Sequence, residues 1–132
     1  MNAVGLEVGS QMPDGTIYVG ISPDTGRPLF AMSHDAPLPM KWAQAMDYAA
    51  GLDAHGYTDW RLPTRWELLL LFNNRTRIRG LNGSGPVSAA PYWSSTENPA
   101  FDDAAWSQRF CDGHHGHGSL KKVDAALRLV RS

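Results

Sequence analysis

The chain reads as an α+β domain, and three observations carry that reading. Short β-branched and aromatic segments stand near both ends, two stretches of helical period fill the middle, and glycine and proline (13 and 9 of 132 residues) punctuate the junctions. Strands, then two helices, then strands is the order of an α+β domain; a βαβ fold would alternate them.

Pro13-Asp14-Gly15 is a turn signal, and Thr16 to Ile21 after it reads as a strand. Ser22-Pro23-Asp24-Thr25-Gly26 turns the chain, and Leu29 to Met32 returns as the second arm of an N-terminal β-hairpin. His34 to Pro39 is a proline-punctuated connector. From about Met40, the apolar residues Trp42, Ala45, Met46, Ala49 and Leu52 recur at the spacing of an amphipathic helix, with Gly56 in a stop position beyond it. Thr64 followed three residues later by Glu67 is a capping box, in which each side chain satisfies an orphan backbone N–H, so a second helix starts at Thr64 and runs to about Phe72. Trp66 and the run Leu68 to Phe72 make it apolar nearly all round, which predicts a deeply buried spine of the core.

Gly80 to Pro91 is a loop without periodicity. The last third reads as short strands at Tyr92–Ser95, Ala105–Cys111, Ser119–Lys122 and Leu127–Arg131, with polar loops at Thr96–Asp103 and Asp112–Gly118. Alternation around Trp106 would put Trp106, Gln108 and Phe110 on one face, offering two aromatics to a core. A single domain spanning residues 1–132 follows, with the hairpin and connector at about 13–39 and the remaining elements at 40–131.

A chain of this length buries roughly two thirds of its unfolded surface without disulfides or metals. The formal net charge of -1 leaves no global footprint of a nucleic-acid binder. No run approaches the roughly 20 apolar residues of a membrane span, and the first residues hold no classical signal peptide. The expectation is a soluble chain with no membrane insertion; cytoplasm, a phage particle and leaderless export all stay open. Cys111, the single cysteine, cannot form an internal disulfide.

Asp59-Trp60-Arg61-Leu62-Pro63-Thr64-x-x-Glu67-Leu68, then Tyr92-Trp93-Ser94-Ser95, Ala105-Trp106, Phe110-x-Asp112-Gly113 and Arg128-Leu129-Val130-Arg131 occur in one order. Together they resemble the bacterial and phage domain family typified by the C-terminal domain of the Legionella collagen-like adhesin. The resemblance implies a C-type-lectin-like fold, with two helices packed on a small irregular antiparallel sheet and the terminal strands brought together. It also implies a non-catalytic binding module, related to the variable proteins of diversity-generating retroelements and to adhesin and phage receptor-binding proteins. Mapped by motif, the display surface is the loop around Asn98, Phe101, Asp102 and Asp103 and the loop carrying His114, His115, His117 and Ser119, with Arg109 and Lys121 as flanking contacts. The expected partner is a protein or glycan, with no cofactor, and a homo-oligomer or a tail or adhesin assembly element stays open.

The same residues also suit other chemistries. The Arg-Leu-Pro-Thr-x-x-Glu element is similar to one in formylglycine-generating enzymes, but their copper site needs two thiolates and Cys111 is alone. Cys111, His114, His115 and His117 are zinc-ligand types packed into one glycine-rich loop, without the separated ligand pairs of a structural site; an exposed polar binding loop is preferred over a metal site or a thiol-dependent enzyme. Glu97-Asn98-Pro99 departs in order from the Glu-Pro-Asn type of calcium-dependent sugar site, so such binding is not expected. Arg75, Arg77 and Arg79, with Arg61 and Arg65 earlier in the chain, suit an anionic glycan or phosphate, against a solvated edge paired to carboxylates. All five tryptophans are assigned to the core before any sugar-stacking role.

Overall fold

A computed structural model describes residues 7–36, 38–78, 91–108, 115–122 and 124–132, with backbone alone for 115–120. Along the chain run β1 (Ile17–Ile21), β2 (Pro28–Ala31), α1 (Trp42–Ala50), α2 (Arg65–Asn73), β3 (Tyr92–Glu97), β4 (Ala104–Gln108), β5 (His115–Leu120) and β6 (Val130–Arg131). This is a small α+β arrangement in the expected order. The strands form two antiparallel sheets, β1-β2-β6 and β3-β4-β5. β6 closes on β2, so the C-terminal strand is seated on the N-terminal hairpin.

The predicted hairpin is present. Its register slips between Tyr18 and Gly20, and Gly20 takes up the resulting bulge at a φ of 120° that side-chain-bearing residues rarely adopt. α1 ends earlier than its apolar period suggests. Gly51 is the C-cap, its N–H closing the last helical bond to the Asp47 carbonyl at 3.0 Å, while Gly56 serves the separate turn bridging Ala54 and Tyr57. Leu52 still packs on the core from outside the helix, so apolar period and helix length part company.

Two cores result. Leu68 and Leu71 of α2 pack with Ile17, Val19, Leu29 and Ala31 of the hairpin, and Tyr92 and Val130 join them. Ala45 and Ala49 of α1 pack with Trp60, Leu62, Trp93, Ala125, Leu127 and Leu129. α2 buries only one face, at Glu67, Leu68 and Leu71, and leaves Trp66 48% exposed, which corrects the expectation of a helix buried all round. At about 100° per residue, Trp66 stands roughly 200° from Leu68, too far round to reach the same core.

The capping box forms as predicted. The Glu67 N–H donates to Thr64 Oγ1 at 3.2 Å and the Thr64 N–H donates to Glu67 Oε1 at 2.9 Å. The Glu67 side chain is also fully buried, and three further donors meet it: both Arg61 terminal nitrogens, at 2.5 and 2.9 Å, and the Ser22 hydroxyl at 2.6 Å. Burial pushes the carboxyl pKa up, yet the donors from Arg61, Ser22 and the Thr64 backbone outweigh it and hold the group below its ordinary value. Thr64 Oγ1 in turn bonds to Asp24, and the Arg61 backbone exchanges both hydrogen bonds with Val130. One side chain thus joins the hairpin loop, the α2 start and the strand beside β6.

Two other arginines act similarly. Arg128 is fully buried, donating from Nε to Asp35 at 2.9 Å and from Nη1 to the Met32 carbonyl at 3.0 Å, while the Tyr92 hydroxyl donates to the other Asp35 oxygen. Arg131 forms a two-pronged pair with Asp59 and lies 3.6 Å from the centre of the Tyr57 ring. The Tyr57 hydroxyl donates to Asp14, whose carbonyl accepts from His55 Nδ1, so that ring nitrogen carries the proton.

Replacing Glu67 by Gln would turn an amide N–H₂ toward an Arg61 nitrogen, which can only donate, and would leave the Arg61 charge uncompensated. Glu67→Gln is expected to cost about 3 kcal/mol, read as a lower urea midpoint at unchanged slope. A variant as stable as the parent would refute this account of the core.

The folded-state pKa values of Glu67, Asp59 and Asp14 are all depressed. Their stabilisation is complete above the ordinary carboxylate values of 4.5 and 3.8, and is lost as pH falls through the lower folded values. Unfolding followed by circular dichroism should therefore show stability falling below about pH 4.5, with a shallower fall in Glu67→Gln.

Candidate functional site

Between β3 and β4 the chain makes a short loop, residues 98–103, whose base and tip are built differently. Asn98 is 7% exposed and its side-chain oxygen accepts the Ala100 N–H at 2.9 Å, an Asx turn that sets the path. Its backbone N–H bonds to the Ala104 carbonyl at 3.1 Å and closes the loop. At the tip, Phe101 is 58% exposed, and Asp102 and Asp103 are exposed beside it.

Lys121 secures the other side. Its ammonium donates to the Asp102 carbonyl at 2.7 Å and to Glu97 at 3.2 Å, and sits 4.4 Å from the centre of the Trp42 ring. Its backbone N–H donates to the Asp103 carbonyl at 2.8 Å. The Trp42 indole is itself fixed by donation to the Ser94 carbonyl at 2.9 Å. Asn98 and Lys121, both candidate ligand contacts in the sequence, therefore hold the loop, while Asp102 and Asp103 present their side chains outward.

His115 and His117 stand in β5, whereas the sequence reading put them in a loop. Ladder pairing of Gln108 with His115 and of Ser107 with Gly116 explains the difference, because hydrogen bonds to β4 extend a glycine-rich segment that has no local strand preference. His114, Arg109, Cys111 and Arg79 lie outside the described residues. Arg75 is turned back on α2, donating to the Phe72 carbonyl at 2.9 Å and lying over the Phe72 ring, while Arg77 is exposed.

Two tryptophans depart from the core role expected of them. Trp93, Trp60 and Trp42 pack in or against the second core, with their indole N–H groups bonded to backbone carbonyls. Trp106 is only partly buried, and with Trp66 it brackets the Arg65 guanidinium. Strict alternation fails here because three residues, Ser94 to Thr96, stand opposite Trp106 between the pairs Trp93 with Ser107 and Glu97 with Ala105. Ser107 and Gln108 are consequently both buried. Arg65 and Trp66 are adjacent in sequence, but no spacing rule links them to Trp106.

A cavity lined by Met32, His34, Asp35, Ala36, Tyr48, Leu52 and Leu129 encloses about 90 Å³. That is well below the roughly 300 Å³ of the smallest usual ligand pockets, and its one carboxylate, Asp35, is engaged by Arg128 and Tyr92. Among the described residues no three His, Cys, Asp or Glu side chains could hold a metal ion, and no helix is long and apolar enough to cross a membrane.

Asn98→Ala should cost about 1 kcal/mol, the worth of one buried hydrogen bond, and should speed amide exchange at Ala100 and Phe101 above all other sites. Uniformly slow exchange in that variant would show that the loop is held by other means.

No curated protein matches the chain. The Lcl C-terminal domain family matches residues 24–131, from the hairpin turn to the last strand, and so takes in the Arg61–Glu67 pair, both helices and the loop after β3. With most of its length matched in this way, the chain belongs to the Lcl C-terminal domain family.

Proposed function

We propose that this domain is a non-catalytic ligand-binding module on a C-type-lectin-like scaffold. Its display surface is the 98–103 loop; His115, in the other segment named from the sequence, pairs with Gln108 at the far end of β4 and stands at the opposite end of that sheet. One observation carries the reading: Phe101, Asp102 and Asp103 are exposed on a loop whose base is locked by buried Asn98 and by Lys121. A rigid base lowers the entropy lost on binding, and an exposed aromatic beside two carboxylates supplies contact area and specificity. Family membership agrees with a role of adhesin type. Retroelement diversification and a place in a phage particle extend the same reading, because changeable tip residues on a fixed base are what either would require.

The test is a paired measurement on glycan and cell-surface protein arrays. The combined variant Phe101→Ser, Asp102→Asn, Asp103→Asn is expected to lose at least about tenfold in affinity for the captured partner, since loss of one anchor exceeds about 1.4 kcal/mol. Its urea midpoint should stay close to the parent's, because surface changes of this kind cost within about 0.5 kcal/mol. Equal binding by parent and variant would remove the loop from the reading.

A further inference from the structure

Arg65 is the first residue of α2, and its backbone N–H donates to Thr96 Oγ1 at 3.0 Å. Its guanidinium carbon lies 3.4 Å from the centre of the Trp106 ring and 4.3 Å from that of Trp66. Contact with two indole faces fixes the guanidinium and strips water from it. Arg61, Arg128 and Arg131 each meet a carboxylate, on Glu67, Asp35 and Asp59. Arg65 is treated differently: among the described residues no carboxylate or carbonyl accepts from its guanidinium, and its buried Nε has no hydrogen-bond partner. Nε is the only one of its side-chain nitrogens that is both buried and unpartnered, so the terminal pair stays within reach of solvent.

A cation held in one orientation, partly desolvated and without a counter-charge, is preorganised for an anion. Planar guanidinium matches a carboxylate with two parallel N–H bonds, and desolvation strengthens such a pair. The surroundings narrow the anion's carrier. Trp66 is half-exposed, and Leu69, one turn along α2, is partly exposed and belongs to neither core. A sugar would need donors and acceptors around the indole for its hydroxyls, whereas the position one turn on from Trp66 is Leu69. Arginine and tryptophan beside a leucine is instead the composition of a protein-interface anchor.

We propose that Arg65, Trp66 and Leu69 form a docking site for an acidic peptide segment of a protein partner. A carboxylate takes the outer N–H edge of Arg65, and a neighbouring apolar side chain covers Trp66 and Leu69. The site stands on α2 and β4, shares no residue with the Phe101–Asp103 tip, and does not depend on the binding role assigned to that tip.

The test uses the full chain labelled with ¹⁵N, titrated with a short capped peptide alternating glutamate and leucine. Controls are the matching glutamine–leucine peptide and free glucuronate. The Arg65 Nε–H resonance and the indole N–H resonances of Trp66 and Trp106 are expected to shift saturably with the glutamate peptide. Affinity should be about tenfold weaker for the glutamine peptide, the difference between a charged and a neutral hydrogen-bond acceptor. Trp66→Ser changes an exposed side chain and Arg65→Lys keeps the charge without the fork; both should weaken the peptide while preserving a folded spectrum. The combined loop variant should bind the peptide as the parent does. Absence of shifts up to about 10 mM peptide, equal response to the glutamine peptide, or a response to glucuronate alone would overturn the proposal.

Discussion

A carboxylate in a dry core must have donors at both oxygens, and the way Glu67 meets that requirement organises the rest of the domain. Its donors come from separate parts of the chain: Ser22 at the hairpin loop, Thr64 at the start of α2, and Arg61, whose backbone is paired with Val130. A shift of any one of them would leave a buried polar group unpaired, at a cost of about 1–3 kcal/mol or more. Buried ion pairs add little net stability compared with apolar packing, so the value of this one lies in geometry. It places the N-terminal hairpin, α2 and the C-terminal strand in one relative position, and both sheets are built out from there.

The same economy governs the other charges. A formal net charge of -1 conceals arginines with different roles. Arg61, Arg128 and Arg131 neutralise Glu67, Asp35 and Asp59, and each tie joins residues distant in sequence or anchors a motif. Arg75 is folded back on its own helix. Arg65 is held between two indoles, and among the described residues neither an acid nor a carbonyl accepts from its guanidinium, which separates a cation kept for the fold from one left available.

Rigidity also explains why the loop after β3 can carry exposed side chains. Asn98 and Lys121 use their polar groups on backbone atoms and on Glu97, leaving Phe101, Asp102 and Asp103 with no share in holding the loop's path through their side chains. Substitution at the tip then leaves the scaffold undisturbed, whereas substitution at the base alters the loop itself. Candidates chosen from sequence as one surface set divide, in three dimensions, into supports and displayed groups.

What the sequence by itself determined is the local grammar. The turn at Asp24, the start of α1, the Thr64–Glu67 capping box and the α+β order depend on residues within a few positions of one another, and each appears where those residues put it. The tertiary structure decided whatever depends on distant partners. Glu67 is a helix cap in sequence and becomes the centre of a buried network only when Ser22 and Arg61 arrive. The His115–Gly118 part of β5 has no strand preference of its own and joins the strand because β4 offers it a ladder. Trp66 and Trp106 have the composition of core residues, but helix rotation and the irregular β3–β4 register turn them toward Arg65. Local propensity is short-ranged, whereas burial, register and counter-charge are settled only when segments far apart in the chain compete for the same space and the same hydrogen bonds.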